Sequence, residues 1–105
     1  MNLVRGRIYL VDLDLDDGPK PMLVVSNNIR NAQLPEVLAV RITTSPKPPM
    51  ASIIDLPTGE PQVGRVLCDR ITVIYKDEVI KELGAVSPPT MQAVESGLKH
   101  ALGMA

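Results

Sequence analysis

Short runs of aliphatic, β-prone residues separated by turn-forming clusters are the feature that most constrains the fold of this chain. Val4–Asp14 largely alternates between the two sides of an extended chain, Met22–Ser26 is a continuous apolar run, and Val37–Thr43 is a third β-prone run. Both patterns are typical of strands. We therefore predict three strands in the first half of the chain.

The second half contains further β-prone runs. Met50–Leu56 predicts one strand, and Arg65–Tyr75 predicts two runs with a bend at Asp69-Arg70 between them. Val86 closes a short extended piece that follows Gly84. The β-prone character therefore continues to the last fifth of the sequence.

Turn and loop signals separate these runs. Asp16-Asp17-Gly18-Pro19 forces a turn, Asn27–Pro35 is a polar loop that allows one helical turn, and Pro57–Gly64 is another turn region. Ser45-Pro46-Lys47-Pro48-Pro49 has too many prolines for regular strand pairing. We expect an extended, polyproline-like loop there.

One long helix is predicted, and it lies at the carboxy terminus. Ser87 is a suitable N-cap, Pro88 suits the first helical position, and Gly103 ends the helix. The apolar residues that recur at helical spacing between them are Met91, Val94, Leu98, Ala101 and Leu102.

Short strands followed by a single helix predict a mainly β fold with a C-terminal helix. The expected architecture is a small, strongly bent antiparallel sheet or partly open β-barrel. A chain of 105 residues with no repeat and no linker is expected to form one domain, residues 1–105.

The composition excludes several kinds of ligand site. Phe and Trp are absent and only Tyr9 and Tyr75 are aromatic, so the core must be aliphatic and base stacking on aromatic platforms is nearly excluded. The net charge of -1 lacks the basic excess that usually marks nucleic-acid-binding domains. Any nucleic-acid site must therefore be a local basic patch.

Cysteine use and hydropathy indicate a cytoplasmic protein. Cys68 is the only cysteine and can form no internal disulfide, which suits a reducing compartment. The amino terminus lacks the order of a signal peptide, and no apolar run approaches the ~20 residues that cross a bilayer. We expect no membrane association.

Five segments, in order along nearly the whole chain, resemble the motifs of the MazF/PemK family of toxins. The segments are Arg5–Asp14, Pro21–Asn27 with Asn31, Val37–Thr44, Val66–Ile71, and Leu83–Ser87 continuing to Gly103. Each segment alone is a weak signal. Their shared order makes the resemblance specific.

The resemblance implies a CcdB/MazF-type barrel with an SH3-like core and a homodimer. It also implies a type II toxin, an mRNA interferase that cleaves single-stranded RNA at selected sequences without a ribosome, a metal or another cofactor; mRNA, tRNA and rRNA remain open as its natural target. The implied chemistry is attack of the ribose 2′-OH on its own phosphate, which leaves a 2′,3′-cyclic phosphate and a 5′-OH. The implied partner, besides RNA, is a MazE-like antitoxin with an acidic C-terminal segment.

The positions at which the family carries catalysis fall on Lys20 and Thr43. The family's usual arginine is replaced by Lys20, the loop Asp14–Pro19 is short, and Arg70 replaces a glutamine. Lysine can lose its proton more easily than arginine, so it is chemically the easier base, although a bound phosphate would oppose that loss.

The predicted RNA-binding residues are all basic or polar and lie in the motif segments or in the loops next to them. They are Arg5, Arg30, Asn31, Arg41, Thr44, Lys47 and Arg70. Period-two alternation places Arg41 and Thr43 on one face of their strand. Together with Lys20, Arg30 and Lys47 they could form the local basic patch that the net charge hides.

Other polar residues have competing interpretations. Asp12, Asp14 and Asp16 alternate as in a carboxylate metal site, but solvated charges are favoured because no second ligand group accompanies them. Arg70 could pair with Asp69 or contact RNA, and His100 is best explained as a helix-terminus residue. The alternative to a nuclease is a non-catalytic family member that binds RNA or inhibits a protein target such as gyrase.

Overall fold

The computed structural model describes residues 2–14 and 16–104. Met1, Leu15 and Ala105, which belong to the predicted 1–105 domain, lie outside the described residues, and Leu15 also falls in the predicted short loop. The six strands in the described part are β1 Arg7–Val11, β2 Lys20–Val24, β3 Glu36–Thr43, β4 Ile53–Asp55, β5 Arg65–Tyr75 and β6 Val79–Ala85. The helices there are α1 Asn28–Gln33 and α2 Pro88–Leu102, with a 3₁₀ turn at Lys76–Glu78.

The strands form one antiparallel sheet in the order β4-β5-β3-β2-β1-β6. The strands β4 and β6 are its two edges, so the sheet is open. The prediction of a mainly β fold with a C-terminal helix is confirmed. The bend predicted at Asp69-Arg70 is also confirmed, because the β3–β5 register jumps from the pair Val40/Ile71 to the pair Arg41/Leu67.

Each face of the bent sheet has its own aliphatic core. The first cluster lies beneath α2 and contains Ile8, Leu23, Val40, Cys68 and the helical Val94, all fully or almost fully buried. The second cluster lies on the opposite face of the sheet and contains Leu3, Tyr9, Val11, Met22, Val24, Val37, Ala39 and Ile74. Alternation along the strands supplies both clusters, because successive side chains point to opposite faces.

Several predicted boundaries are wrong. The strand predicted at Val4–Asp14 is limited to β1, because Gly6 adopts a positive φ of 88° before it and Asp12 forms a turn after it. The strand predicted at Met22–Ser26 starts two residues earlier, at Lys20. The strand predicted at Met50–Leu56 is shorter because a turn closed by the Ile53 N–H on the Met50 carbonyl precedes it.

Two further elements, β6 and α1, are longer than the sequence predicted. The segment Val79–Ala85 is a full edge strand, in which the exposed Lys81 and Glu82 interrupt the apolar residues and leave no clear alternation. The segment Asn27–Pro35, predicted as a loop that allows one helical turn, contains the short six-residue helix α1, which Asn27 caps by accepting a hydrogen bond from the Arg30 N–H at 2.8 Å.

Close backbone approach fixes α2 on the sheet. A Cβ atom at Gly97 would lie 2.7 Å from the Sγ of Cys68, so only glycine allows this spacing. Burial, followed by the charge of Asp69, raises the pKa of the Cys68 thiol to about 11. The predicted boundaries of this helix, from Pro88 to Leu102, are confirmed.

The amino-terminal end of α2 also anchors the loop between β4 and β5. Ser87 is the N-cap, as predicted, but its side chain makes no capping bond within the helix. Its backbone N–H and its hydroxyl instead donate to the Glu60 carboxylate at 3.1 and 3.0 Å. Glu60 thereby holds residues 57–64 against the body of the protein.

In the described ranges 2–14 and 16–104, no helix has both the length and the apolar character needed to cross a membrane.

Candidate active site

A cleft of about 330 Å³ opens where β2 begins and β3 ends. Its volume falls at the lower end of the range that is usual for ligand sites. The cleft is lined by Asp17, Pro19, Lys20, Pro21, Arg41, Ile42, Thr43, Thr44, Ser45, Gln62 and Val63. Three separate segments of the chain, residues 17–21, 41–45 and 62–63, therefore meet at this end of the sheet.

Strand pairing explains why Lys20, Arg41 and Thr43 meet. Met22 on β2 lies opposite Arg41 on β3. Lys20 lies two residues before Met22, and Thr43 lies two residues after Arg41. Because the strands are antiparallel, Lys20 and Thr43 lie at the same end and on the same face of the sheet. The shared face predicted for Arg41 and Thr43 is present, and both side chains line the cleft.

The Lys20 ammonium is paired inside the cleft. Its Nζ donates to Oδ2 of Asp17 at 2.5 Å, while the side chains are 18% and 69% exposed respectively. This hydrogen bond is the largest cause of a lowered pKa at Asp17, and the charges of Lys20 and Arg41 add to it. The cleft therefore carries two cations and one ionised carboxylate, with one positive charge in excess.

The Thr43 hydroxyl is oriented by the backbone beyond it. Its Oγ1 accepts a hydrogen bond from the Ser45 N–H at 3.1 Å. Because that bond occupies an acceptor position, the hydroxyl hydrogen stays available for donation into the cleft. Thr43 is therefore suited to stabilise negative charge that develops on a bound group.

Arg41 adds a guanidinium that its surroundings do not satisfy. Its Nε is shielded from solvent, and no group in residues 2–14 or 16–104 accepts a hydrogen bond from it. A buried unpaired donor is costly, because its lost hydration is not replaced. Arg41 nevertheless lines the cleft, so its positive charge acts on an anion bound there.

Further clefts continue from this one past the β3–β4 loop. Thr44 and Val63 line both the first cleft and a neighbouring one, which also contains Arg65. Lys47 and Arg70 line a third, shallow cleft. Among the described residues, no ion pair joins Arg70 to Asp69, so Arg70 remains open to a ligand.

Two predicted basic residues lie away from the cleft. Arg5 donates to the Val25 carbonyl and pairs with Glu95 of α2 at 3.6 Å. Arg30 lies on α1, near the opposite end of β3, and pairs with Glu36 at 2.8 Å. The guanidinium groups of Arg5 and Arg30 are therefore engaged in contacts within the fold, and neither lies beside Lys20.

Asn31 is also removed from the cleft. It is 2% exposed, its amide donates to the Ser26 carbonyl at 2.9 Å, and its Oδ1 accepts from the Ser26 hydroxyl. These bonds join α1 to the end of β2, where Ser26 also receives the Leu38 N–H. The side chain is part of a buried network and presents no free polar atom to the surface.

The aspartates near the end of β1 form a turn. Oδ1 of Asp12 accepts a hydrogen bond from the N–H of Asp14, which adopts a positive φ of 57°. In residues 2–14 and 16–104, no group of three or more His, Cys, Asp or Glu side chains is arranged to hold a metal ion. His100 lies in the last turn of α2, outside the cleft.

Sequence reasoning missed three polar residues of the cleft, Asp17, Ser45 and Gln62. The position of Asp17, three residues before Lys20 and followed by Gly18-Pro19, is a signal that could have suggested a turn folding its carboxylate back on the lysine. Gln62 had no such signal, because only the anchoring of its loop brings it to β3.

Comparison with known protein families shows which family the chain belongs to. Residues 4–102 match the family described as PemK-like, MazF-like toxin of type II toxin-antitoxin system. The chain belongs to this toxin family. The prediction of a MazF/PemK-type toxin is thereby confirmed over nearly the whole sequence.

Named relatives of the MazF group agree with this assignment. The chain is 39% identical over 101 residues to Endoribonuclease MazF4 of Mycobacterium tuberculosis and to Endoribonuclease MazF1 of Mycobacterium bovis, covering 96% of this chain and 93% of each relative. The prediction of an endoribonuclease toxin is confirmed at this level.

Solved structures of the family match the fold. An endoribonuclease in complex with its cognate antitoxin, from a mycobacterial species, is 38% identical with a TM-score of 0.91, covering 98% of this chain and 97% of that one. A MazE-MazF structure from Deinococcus radiodurans has a TM-score of 0.85 at 20% identity, covers 100% of this chain and 99% of that chain, and supports the fold alone.

Proposed function

We propose that this MazF-like toxin cleaves single-stranded RNA in the cytoplasm, selectively and without a metal or a ribosome. The 2′-OH next to the scissile bond attacks the phosphate and leaves a 2′,3′-cyclic phosphate and a 5′-OH. The observation that carries the proposal is the cleft in which Lys20, Arg41 and Thr43 converge. These three residues supply cations and a hydroxyl donor where a phosphodiester would lie.

The roles of these residues follow from their surroundings. Lys20 and Arg41 bind the scissile phosphate, because both line the cleft and place positive charge there. Thr43 donates to a phosphate oxygen as negative charge grows in the transition state. Preorganised donors of this kind stabilise the transition state more than the ground state.

The neighbouring clefts support binding of more than one nucleotide. Thr44 links the catalytic cleft to the next one, and Lys47 and Arg70 line a cleft further along the same surface. We propose that they bind the RNA backbone beside the cut. Because Phe and Trp are absent and Tyr9 is buried, stacking on large aromatic side chains contributes little to this surface.

The test is cleavage of a long single-stranded RNA by the purified protein in EDTA. Discrete fragments with 5′-OH and 2′,3′-cyclic phosphate ends are expected, and sequencing those ends would give the cut site. Lys20→Ala should lower cleavage by about 10²-fold or more. Lys81→Ala, which removes an exposed lysine from the edge strand β6, is the matched control and should cleave normally.

The other outcomes are distinct. Fragments that disappear in EDTA would contradict a metal-independent reaction. Intact RNA under all conditions would favour a non-catalytic toxin that binds RNA or inhibits a protein target. Fragments with 3′-OH ends would exclude attack by the 2′-OH.

We further propose that the cognate antitoxin places an acidic, partly disordered segment over the Lys20 cleft. The excess positive charge there favours a negatively charged competitor of RNA. Charge reversal of acidic residues in that segment should weaken inhibition and make it less sensitive to salt. An inhibitory segment that is neutral or basic would contradict this proposal.

We propose a homodimer as well. Ile71, Val73 and Tyr75 alternate along β5, so they share one face, and they are 38%, 44% and 50% exposed. A small domain leaves such surface exposed at a cost, which a second copy can remove. Light scattering should give twice the 11.4 kDa chain mass at micromolar concentration, and a monomer mass would contradict the dimer.

A further inference from the structure

The ion pair between Asp17 and Lys20 places a carboxylate inside the catalytic cleft. The 2.5 Å hydrogen bond and the nearby Arg41 charge keep Asp17 ionised, because both lower its pKa. Its side chain is nevertheless 69% exposed, so a bound nucleotide can reach it. Asp17 is therefore both an available base and an accessible one.

The turn between β1 and β2 aims this carboxylate. Gly18, with a φ of 86°, and Pro19 lie between Asp17 and the first residue of β2. The left-handed glycine reverses the chain so that Asp17 returns over Lys20, and proline restricts the backbone that follows. The pair is thus held by a short, conformationally limited segment.

The reaction requires a group that accepts the proton of the 2′-OH. The Lys20 ammonium and the Arg41 guanidinium are donors only, and the Thr43 oxygen already accepts the Ser45 N–H. Among the described residues that line the cleft, Asp17 alone carries a carboxylate. The acceptor role that a lysine base was expected to fill therefore has a better candidate.

We propose that Asp17 is the general base of the cleavage reaction and that Lys20 is its general acid. The Asp17 carboxylate takes the 2′-OH proton as the bond from O2′ to phosphorus forms. The bond from phosphorus to O5′ breaks, and the leaving oxygen takes a proton from Lys20 Nζ. The proton on Asp17 then returns to the neutral amine through their direct hydrogen bond, which restores both groups without a further reactant.

Binding of the substrate phosphate would raise the pKa of Asp17, as a general base requires. In the free protein Lys20 donates to Asp17 and lowers its pKa, with Arg41 assisting. A bound phosphate draws hydrogen bonds from Lys20 and brings its own negative charge close to the carboxylate. Both changes raise the pKa of Asp17 and make it a stronger proton acceptor.

The inference rests on the proposed function, and the first experiment separates the two. Wild-type, Asp17→Asn and Asp16→Asn proteins are compared on one mapped RNA substrate. Asp17→Asn should lower kcat by about 10²-fold. It should bind a 2′-deoxy version of the substrate as tightly as wild type or more tightly, because a negative charge has left the phosphate site. Asp16→Asn, with its exposed side chain outside the cleft, should behave as wild type.

Results that contradict these expectations would show which of the two proposals is wrong. A wild-type protein that does not cleave would refute the proposed function itself. A cleaving wild type with an equally fast or faster Asp17→Asn variant would refute only the role of Asp17, and would show that its carboxylate competes with phosphate for Lys20. A weaker affinity that accounts for the whole loss of activity would also overturn the assignment.

A second substrate distinguishes the acid from the base. Replacing O5′ at the cut site by sulfur gives a leaving group that needs no proton. Lys20→Ala should then recover most of its lost rate relative to wild type, whereas Asp17→Asn should recover none. Recovery by Asp17→Asn instead would reverse the two roles and overturn the proposal, and recovery by neither variant would exclude Lys20 as the acid.

Discussion

Gly64→Ala tests whether the close packing behind Thr43 shapes the active cleft. Gly64 adopts a φ of 124°, and a Cβ atom there would lie 2.4 Å from the Thr43 carbonyl oxygen. Neither atom belongs to a flexible side chain that could turn away. The end of β3 must therefore move, or the loop that Gly64 closes must move away from it.

The loss of unfolding free energy expected in Gly64→Ala has two parts. A non-glycine residue at this φ costs about 1–3 kcal/mol of backbone strain. Overpacking in a closely packed site typically costs about 1–3 kcal/mol more. The free energy of unfolding should therefore fall by about 2–6 kcal/mol, a large fraction of the ~5–15 kcal/mol that is usual for a domain.

The effect on catalysis follows from the same geometry. Ordinary contact begins near 3.4 Å, so relieving the 2.4 Å approach requires a shift of about 1 Å. A 1 Å misplacement of a reacting group can lower the rate by about 10²-fold. If Thr43 takes up the shift, Gly64→Ala should lose cleavage far beyond its unfolded fraction.

Gly59→Ala is the matched control in the same loop. Gly59 also has a positive φ, 101°, but an added Cβ would meet nothing within 4 Å. Urea unfolding and RNA cleavage by both variants separate backbone strain from the contact with Thr43. Equal losses of stability in the two variants, or normal cleavage by folded Gly64→Ala, would refute the reasoning.

Three further predictions concern single side chains. Thr43→Ala should lower cleavage more than RNA affinity, because its hydroxyl acts mainly on transition-state charge; equal losses would indicate a positioning role. Lys20→Arg should keep RNA affinity but change the pH profile of the rate, since arginine is effectively always protonated, and an unchanged profile would reduce Lys20 to an electrostatic contact. Burial alone would raise the pKa of Glu60, but hydrogen bonds from Thr90 and Ser87 lower it below 4.5. The stabilisation from ionised Glu60 is present above its unfolded-state pKa and is lost as the pH falls through its folded-state pKa. Between pH 6 and about pH 3, Glu60→Gln should therefore lose less unfolding free energy than the wild type. An identical loss in the two proteins would contradict this prediction.

The positions of β3 and α2 could be predicted because local patterns dominate there. Their apolar residues recur at the period of the element, and Pro88 and Gly103 mark the ends of the helix. β6 was largely missed because an edge strand is stabilised by pairing with β1, and Lys81, Glu82 and Gly84 interrupt its apolar residues. Pairing of that kind does not require a regular apolar period in the sequence.

In the candidate site, too, some residues could be predicted from the sequence and others could not. Lys20, Arg41 and Thr43 could be selected from motif position and strand alternation, and strand register then brings them into one cleft. The separation of Arg5, Arg30 and Asn31 from that cleft could not be foreseen. Their alternative partners, such as Glu36 and Ser26, become close only in the folded chain.

The sequence by itself determined the kind of fold, the family and the main cations of the site, because these depend on local periodicity and on the order of short motifs. The tertiary structure alone decided the contacts between segments far apart in sequence. The contact between Asp17 and Lys20 still had a local signal in Gly18-Pro19, whereas the packing of Gly64 on Thr43 needs the β4–β5 loop to be anchored against α2. Contacts of the second kind depend on distances of a few tenths of an ångström between distant segments, and residue order does not encode those distances locally.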